Sequence, residues 1–140
     1  MHSIFIIEDS SVDFKVLERA FKLNNFQGSI QRFSNPETAL AELRKLIAMR
    51  DLNKLPKLVL SDINMPGLTG FDFCETLMKD EHLVIIPTIL ISNSNNPEDI
   101  KKAYKSGAKT LLNKRLDFED QVADVKILLD YWLNGPAQIY

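Results

Sequence analysis

The sequence has few cysteines and no long apolar run. Among its 140 residues there is one cysteine, Cys74, which excludes an intramolecular disulfide and agrees with a protein of the reducing cytoplasm. The longest nearly apolar runs, Ile4–Ile7 and Leu83–Ile91, are far shorter than the roughly 20 residues that a membrane-spanning helix needs. The first three residues lead into an apolar run without a basic segment, so we expect no export signal, no membrane insertion and a cytoplasmic location.

Neither sign of charge is concentrated in the chain. Lysine and arginine together number 17, aspartate and glutamate 19, and neither sign forms a block of five or more. We therefore expect no nucleic acid among the partners. The 5 glycines and 6 prolines are scattered, so they mark no linker. We expect residues 1–140 to form a single domain, with residues 134–140 as a C-terminal tail and no output domain.

Short apolar runs rich in β-branched residues alternate with segments of helical periodicity. The clearest helix follows a start signal at Asn35-Pro36, a further helix follows Asn96-Pro97, and a last helix begins at about Phe118. Continuous apolar runs are typical of strands that are buried on both faces of a parallel sheet. The alternation predicts an α/β fold, a doubly wound five-stranded parallel sheet with five helices. The predicted strands are Ile4–Ile7, Ser29–Phe33, Leu58–Leu60, Thr88–Ile91 and Thr110–Leu112.

Reactive side chains follow four of these strands. Glu8 and Asp9 follow the first, Asp62 the third, Ser92 the fourth and Lys114 the fifth. The carboxyl ends of parallel strands form the ligand-binding edge of such a sheet, so we expect these side chains to converge. Three carboxylates repel one another unless a cation lies among them, and oxygen ligands suit Mg²⁺ or Mn²⁺. One ionised carboxylate can then attack phosphorus, with Lys114 and the Ser92 hydroxyl binding the phosphoryl oxygens.

These residues belong to motifs that resemble the receiver domain of two-component response regulators. Ser92 lies 30 residues and Lys114 52 residues after Asp62, spacings similar to those of receivers. The resemblance covers nearly the whole chain and implies a flavodoxin-like fold. Its most specific element is Asp-x-x-Met-Pro-x-x-x-Gly. The motifs that carry it are Glu8-Asp9, Leu58–Gly70, Ser92, Gly107-Ala108 and Lys114.

The resemblance implies a role for each acidic residue. Asp62 would be the phosphoacceptor, and Asp9 and Asp62 would hold Mg²⁺ directly, with the main-chain carbonyl of Asn64 as a further ligand. Glu8 would assist through a water molecule.

The other site residues also take their roles from the resemblance. Ser92 would move to meet the phosphoryl group while Lys114 pairs with it. The side chains of Asn64 and Ser94 occupy the positions that tune attack of water on the acyl phosphate. Asn93 stands where many receivers have a small residue, and we expect it to narrow access to the acceptor.

Two positions besides Asn93 depart from the receiver pattern. Receivers commonly have an aromatic switch residue three positions before the lysine, where this chain has Leu111. They also have a proline after the lysine, in a cis peptide bond, where this chain has Arg115. The sequence leaves open whether the Lys114–Arg115 bond is cis or trans, since cis costs about 2.5–4 kcal/mol without proline.

A narrower resemblance is to stand-alone regulators paired with bacterial and cyanobacterial phytochromes. It rests on the long segment Ile47–Pro56, the missing proline after Lys114, and the ending Tyr131–Leu133. Tyr131 and Trp132 fit two roles equally well: they cap the core, or they provide a surface for a partner or a dimer.

The function predicted from these residues is that of a single-domain response regulator. It would accept a phosphoryl group on Asp62 from a sensor histidine kinase or a histidine phosphotransfer protein. It would signal by binding an unknown downstream protein or by forming a homodimer through its fourth and fifth helices, and would catalyse at most its own phosphorylation and dephosphorylation.

One alternative is a small phosphatase with an aspartate nucleophile, although Asn64 stands where its general acid would be. The other is a phosphorylation-independent binding module.

Overall fold

The computed structural model describes residues 2–93, 96–115 and 117–133. Strands and helices alternate along them. The strands are β1 (Ser3–Ile7), β2 (Ser29–Phe33), β3 (Leu58–Asp62), β4 (Thr88–Ser92) and β5 (Thr110–Asn113). The helices are α1 (Ser11–Leu23), α2 (Pro36–Ala48), α3 (Gly70–Met78), α4 (Pro97–Ser106) and α5 (Phe118–Leu128). A 3₁₀ turn at Leu52–Lys54 precedes β3, and a π-helical turn at Leu129–Leu133 follows α5.

The five strands form one parallel sheet in the order β2-β1-β3-β4-β5. This confirms the predicted fold class. β1 is followed in the chain by β2, its neighbour on one side, whereas β3 is followed by β4 on the other side. The helices that leave β1 and β3 therefore lie on opposite faces of the sheet. The carboxyl ends of these two adjacent strands therefore border the crevice where ligands bind in folds of this type.

Helices cover both faces of the sheet, which is why its strands are apolar at nearly every position. Ile4 and Ile6 of β1 pack in one cluster with α1 and α5, while Phe5 and Ile7 pack in another with α2 and α3. A smaller cluster joins α3, α4 and Leu90 of β4. Burial on both faces leaves the strand ends as the places where polar side chains can reach solvent.

Two of the predicted helix starts are confirmed by their caps. The Asn35 side chain accepts a hydrogen bond from the Thr38 N–H at 2.8 Å, and Asn96 accepts one from the Glu98 N–H at 3.1 Å. In each case a proline, which has no N–H to leave unpaired, begins the helix. The last helix begins at Phe118 as predicted.

The ends of β3 and β4 differ slightly from the prediction. Both strands continue past their apolar runs, so that Asp62 and Ser92 are the last strand residues instead of the first residues after the strands. Asp62 is paired in register with Ile91, so the hydrogen bonds of the parallel sheet extend β3 beyond the end that its apolar run indicates.

In the described part of the chain, no helix has the length and apolar character needed to cross a bilayer. The predicted tail, residues 134–140, lies outside the described residues.

Candidate phosphoryl and metal site

The loop after β1 presents two acidic side chains in different environments. Glu8 is 2% exposed, and its Oε2 accepts a hydrogen bond from the Ser10 N–H at 3.2 Å, whereas Asp9 is exposed. Ser10 also caps α1, because its side chain accepts a hydrogen bond from the Asp13 N–H. Arg32 on β2 donates hydrogen bonds to the main-chain carbonyls of Glu8 and Asp9, each at 3.1 Å. The loop is thus held from both sides.

Asp62 lies at the end of β3, on the neighbouring strand, and is 7% exposed. Its Oδ1 accepts a hydrogen bond from the Asn64 N–H at 3.0 Å, which fixes the carboxylate against the loop that follows. Gly70 at the start of α3 allows that loop to close tightly. A Cβ atom there would lie 2.6 Å from the Asp62 carbonyl oxygen, so any larger residue would displace the end of β3.

Three carboxylates meet at this edge of the sheet. Glu8, Asp9 and Asp62 each offer one oxygen, and these oxygens all lie within 4.8 Å of one another. Octahedral Mg²⁺ takes ligands at about 2.0–2.1 Å, so opposite ligands are about 4 Å apart. Oxygen-only ligands at this spacing fit a hard divalent cation. The prediction of an acidic cluster compatible with Mg²⁺ or Mn²⁺ is therefore confirmed for these residues.

Lys114 follows β5 and reaches the same cluster. The Lys114 N–H donates to the Ser92 carbonyl at 2.7 Å, which continues the β4–β5 ladder by one residue. Its ammonium nitrogen then lies 2.9 Å from Oε1 of Glu8, 3.1 Å from Oδ2 of Asp62 and 2.8 Å from Oδ2 of Asp13. One half-buried cation thus faces three carboxylates.

The close packing of these charges changes their pKa values. Burial raises the pKa of Glu8 to about 7, with a further rise from the negative charge of Asp62, against the opposing hydrogen bond from Lys114. Burial lowers the pKa of Lys114, but its hydrogen bonds with Asp13 and Glu8 and the charge of Asp62 outweigh that effect and leave it above the ordinary value. Lys114 therefore stays protonated at any physiological pH.

The remaining predicted site residues surround this cluster. Ser92 is buried at the end of β4, next to the strand that bears Asp62, and the side chains of Asn64 and Asn93 are exposed. Ser94, predicted as a tuning position, lies outside the described residues.

The structure gives the packing of Leu111 and the conformation of the Lys114–Arg115 bond, the positions at which the chain lacks the aromatic residue and the proline of the receiver pattern. Leu111 is half-buried on β5 and packs against the cluster between α3 and α4. The described residues contain no cis peptide bond, so the Lys114–Arg115 bond is trans. The Arg115 side chain lies 3.0 Å from Asp124 on α5. The aliphatic side chain of Leu111 thus stands three positions before Lys114, where the receiver pattern predicts an aromatic switch residue.

The structure adds two residues that sequence reasoning missed. Asp13 contacts Lys114, and Arg32 anchors the loop that carries Glu8 and Asp9. Asp13 reads in the sequence as an ordinary acidic residue in the first turn of a helix, where it favours the helix dipole. The available signal was its place in the first turn of the helix that follows Glu8 and Asp9 directly, because that turn lies at the same edge of the sheet as the two acidic residues.

Comparison with known proteins places the chain in a family. Residues 4–126 match the family described as response regulator receiver domain. The chain is 30% identical over 139 residues to a probable methanogenesis regulatory protein, FilR2, from Methanothrix harundinacea, and the alignment covers 96% of this chain and 88% of that one.

Solved structures agree with this assignment. The response regulator RPA3017 in red light signalling of R. palustris superposes with a TM-score of 0.86 at 26% identity, covering 96% of this chain and 95% of the other. The phosphorylated cyanobacterial phytochrome response regulator RcpA gives 0.82 at 25% identity, with 95% of each chain covered. The chain is thus similar to phytochrome-associated regulators. It belongs to the response regulator receiver family of two-component signalling.

Proposed function

We propose that this receiver accepts a phosphoryl group on Asp62 from the phosphohistidine of a sensor kinase or a phosphotransfer protein. The observation that carries the proposal is the position of the Asp62 carboxylate, which lies 3.1 Å from the Lys114 ammonium within a cluster of three carboxylates. A nucleophilic carboxylate, a cation and a set of metal ligands are the parts that phosphoryl transfer to an aspartate requires.

Asp62 is better suited to be the acceptor than its two acidic neighbours. Glu8 is buried and has a pKa of about 7, so a large fraction of it carries a proton near neutral pH in the metal-free protein. Asp9 is exposed and its side chain is held by no contact within the described residues. Asp62 is oriented through Oδ1 by the Asn64 N–H and through Oδ2 by Lys114. Orientation of this kind lowers the entropic part of the barrier to attack.

The transfer forms one bond and breaks one bond. An Asp62 oxygen bonds to phosphorus as the bond from phosphorus to the donor nitrogen breaks. The electron pair of that bond stays on the nitrogen, and the donor ring takes up one proton. Lys114 neutralises part of the charge on the phosphoryl oxygens, and the hydroxyl of Ser92 donates a hydrogen bond to one of them.

The carboxylates of Asp9 and Asp62 and the main-chain carbonyl of Asn64 would hold Mg²⁺, or Mn²⁺ in its place, and Glu8 would act through a water molecule. When bound, the ion neutralises charge on the transferring phosphoryl group. Its positive charge also favours the ionised form of Glu8. The exposed side chains of Asn64 and Asn93, together with Ser94, would set how readily water reaches the acyl phosphate.

The signal would leave as a binding event on the surface of this domain. Phosphorylation replaces the single negative charge of the Asp62 carboxylate by the charge of about −1.5 to −2 on the phosphoryl group. A shift of Ser92 and Lys114 toward that group would move β5 and α4, with Leu111 replacing the aromatic switch. Ile100 and Tyr104 on α4 are about half exposed, as is Tyr131 after α5, and these side chains suit a downstream protein or a second copy of the chain.

Intact-mass measurement tests this proposal. The protein is incubated with Mg²⁺ and acetyl phosphate or phosphoramidate, and one base-labile phosphoryl adduct is expected. Asp62→Asn should abolish the adduct, and Asp120→Asn, which removes an exposed carboxylate from α5, should leave it intact.

Three results would contradict the proposal. Absence of any adduct, with these donors and with histidine kinases, would favour a phosphorylation-independent binding module. Rapid continuous turnover of the donor would favour a phosphatase. An adduct that persists in Asp62→Asn would assign the acceptor to another residue.

A further inference from the structure

Asp13 makes the shortest of the three contacts to the Lys114 ammonium. Its Oδ2 lies 2.8 Å from that nitrogen, compared with 2.9 Å for Glu8 and 3.1 Å for Asp62. Asp13 is in the first turn of α1 and is separated from Lys114 by 101 residues in the chain. It is absent from the group of carboxylates that fits a metal ion. Its contact with Lys114 therefore has a different role from that of a metal ligand.

The three contacts use the full hydrogen-bonding capacity of Lys114. A lysine ammonium has three N–H donors and no acceptor, and here three carboxylate oxygens lie within hydrogen-bonding or ion-pairing distance of it. Phosphorylation removes the negative charge of the Asp62 carboxylate itself. A phosphoryl oxygen that binds Lys114 therefore competes with the two other carboxylates, Glu8 and Asp13. Which of the two gives up its contact follows from their burial and their other contacts.

Asp13 is the carboxylate that is released at the least cost. Its side chain is 44% exposed, against 2% for Glu8 and 8% for Asp62, so water can replace the lost contact. Glu8 is also held by the Ser10 N–H and Asp62 by the Asn64 N–H. Within the described residues, the Asp13 carboxylate has no partner besides Lys114.

We propose that Asp13 is a positioning residue that holds Lys114 in the unphosphorylated protein and competes with the phosphoryl group for it. This inference rests on the proposed function of Asp62. When the phosphoryl group arrives, the Lys114 donor passes from Asp13 to a phosphoryl oxygen and the Asp13 carboxylate turns to solvent. The negative charge of Asp13 opposes that of the phosphoryl group, so Asp13 weakens phosphoryl binding and limits the occupancy of the phosphorylated state.

Binding of beryllofluoride, a non-covalent analogue of a phosphoryl group, tests the inference without a phosphodonor. The wild-type protein, Asp13→Asn and Asp13→Glu are titrated at saturating Mg²⁺ and the bound ligand is followed by ¹⁹F NMR. Asp13→Asn should bind on the order of two- to fivefold more tightly, the effect expected for one partly exposed charge pair. Asp13→Glu keeps the charge and should return the affinity toward that of the wild type.

The matched control is Glu18→Gln, which removes the same charge from the same helix. Glu18 is paired with Lys22 at 3.9 Å, and it has no contact with Lys114. This variant should bind beryllofluoride like the wild type. If it binds as tightly as Asp13→Asn, the effect is one of net charge and the inference is overturned.

The ammonium signal of Lys114 gives a readout that a general structural effect would not reproduce. In ¹⁵N spectra of lysine NH₃⁺ groups, the Lys114 protons should exchange with water faster in ligand-free Asp13→Asn than in the wild type, because a neutral amide oxygen is a weaker acceptor than the Asp13 carboxylate. With beryllofluoride bound, the two proteins should give the same exchange rate. Equal rates in the ligand-free proteins would overturn the inference.

The two proposals fail in distinguishable ways. If the wild-type protein binds no beryllofluoride, or binds it equally well in Asp62→Asn, the proposed function is wrong and the inference falls with it. If the wild type binds it in an Asp62-dependent manner and Asp13→Asn shows no gain, the inference alone is wrong.

Discussion

The ammonium nitrogen of Lys114 lies 3.1 Å from Oδ2 of Asp62, across 52 residues of sequence. The same nitrogen contacts Glu8 at 2.9 Å. Two of the three carboxylates that fit a metal ion are therefore already neutralised in part by a protein cation. Lys114 stabilises the metal-free site and at the same time opposes the binding of a divalent ion.

Replacing Lys114 by methionine should therefore raise the affinity for Mg²⁺. The substitution removes a positive charge about 3 Å from two of the three carboxylates that fit the ion, and we expect a gain of roughly tenfold when it is measured by calorimetry at about pH 9. The high pH matters because the Glu8 pKa, already about 7, should rise further once its counter-charge is lost.

Lys101→Met is the matched control for that measurement. Lys101 is exposed on α4, so its loss changes net charge by the same amount without touching the site, and Mg²⁺ affinity should stay at the wild-type value. Weaker or unchanged binding in Lys114→Met would show that the ammonium does not compete with the ion.

Replacing Arg32 by alanine should lower the affinity for Mg²⁺. Arg32 donates to the carbonyls of Glu8 and Asp9, and its loss releases the loop that carries both acidic side chains. We expect a several-fold loss of Mg²⁺ affinity, and a loss of about 1–2 kcal/mol in the free energy of unfolding by urea. Arg32→Lys should fall between, because an ammonium cannot reproduce the geometry of two guanidinium donors.

Arg44→Ala, at an exposed position on α2, controls for the loss of one arginine charge. It should leave both quantities within experimental error of the wild type. Wild-type Mg²⁺ affinity in Arg32→Ala would mean that the loop keeps its conformation without the two hydrogen bonds.

Local signals in the sequence were enough to predict the sheet and the starts of several helices. A strand such as Ile4–Ile7 is apolar at every position because both of its faces are covered, so a continuous run is a reliable sign of a parallel sheet. Asn35-Pro36 and Asn96-Pro97 mark helix starts through short-range hydrogen bonds. These features depend on neighbours within a few residues.

The residues that were missed depend on long-range packing. Arg32 follows Gln31 on an edge strand and reads as a solvent-facing charge, yet it reaches back to the β1 loop 23 or 24 residues away. The contact of Asp13 with Lys114 exists because α1 and α5 pack side by side on one face of the sheet. Packing also decides how α5 ends, since the switch to a π-helical turn at Leu129 keeps Leu129 and Leu133 buried.

Cys74 should report on the stability of the core through its pKa. The thiol lies on α3 and packs against Leu90 and Ala103, and burial raises its pKa from 9.0 to about 12. In the unfolded chain the thiol ionises near pH 9, whereas in the folded protein it stays protonated. The resulting contribution to stability is fully present below pH 9 and is lost as the pH rises from 9 toward 12.

A comparison of the wild type with Cys74→Ala isolates this effect from other groups that titrate at high pH. The variant loses packing at every pH, a cost of about 1–2 kcal/mol that does not change with pH. The wild type alone loses the part of its stability that comes from keeping the Cys74 thiol protonated. We expect its advantage in urea unfolding to shrink by about 1 kcal/mol between pH 8 and pH 10, since one pKa unit corresponds to about 1.4 kcal/mol. A constant difference over this range would mean that the thiol ionises as readily in the folded protein as in the unfolded chain, and hence that α3 does not exclude water from Cys74.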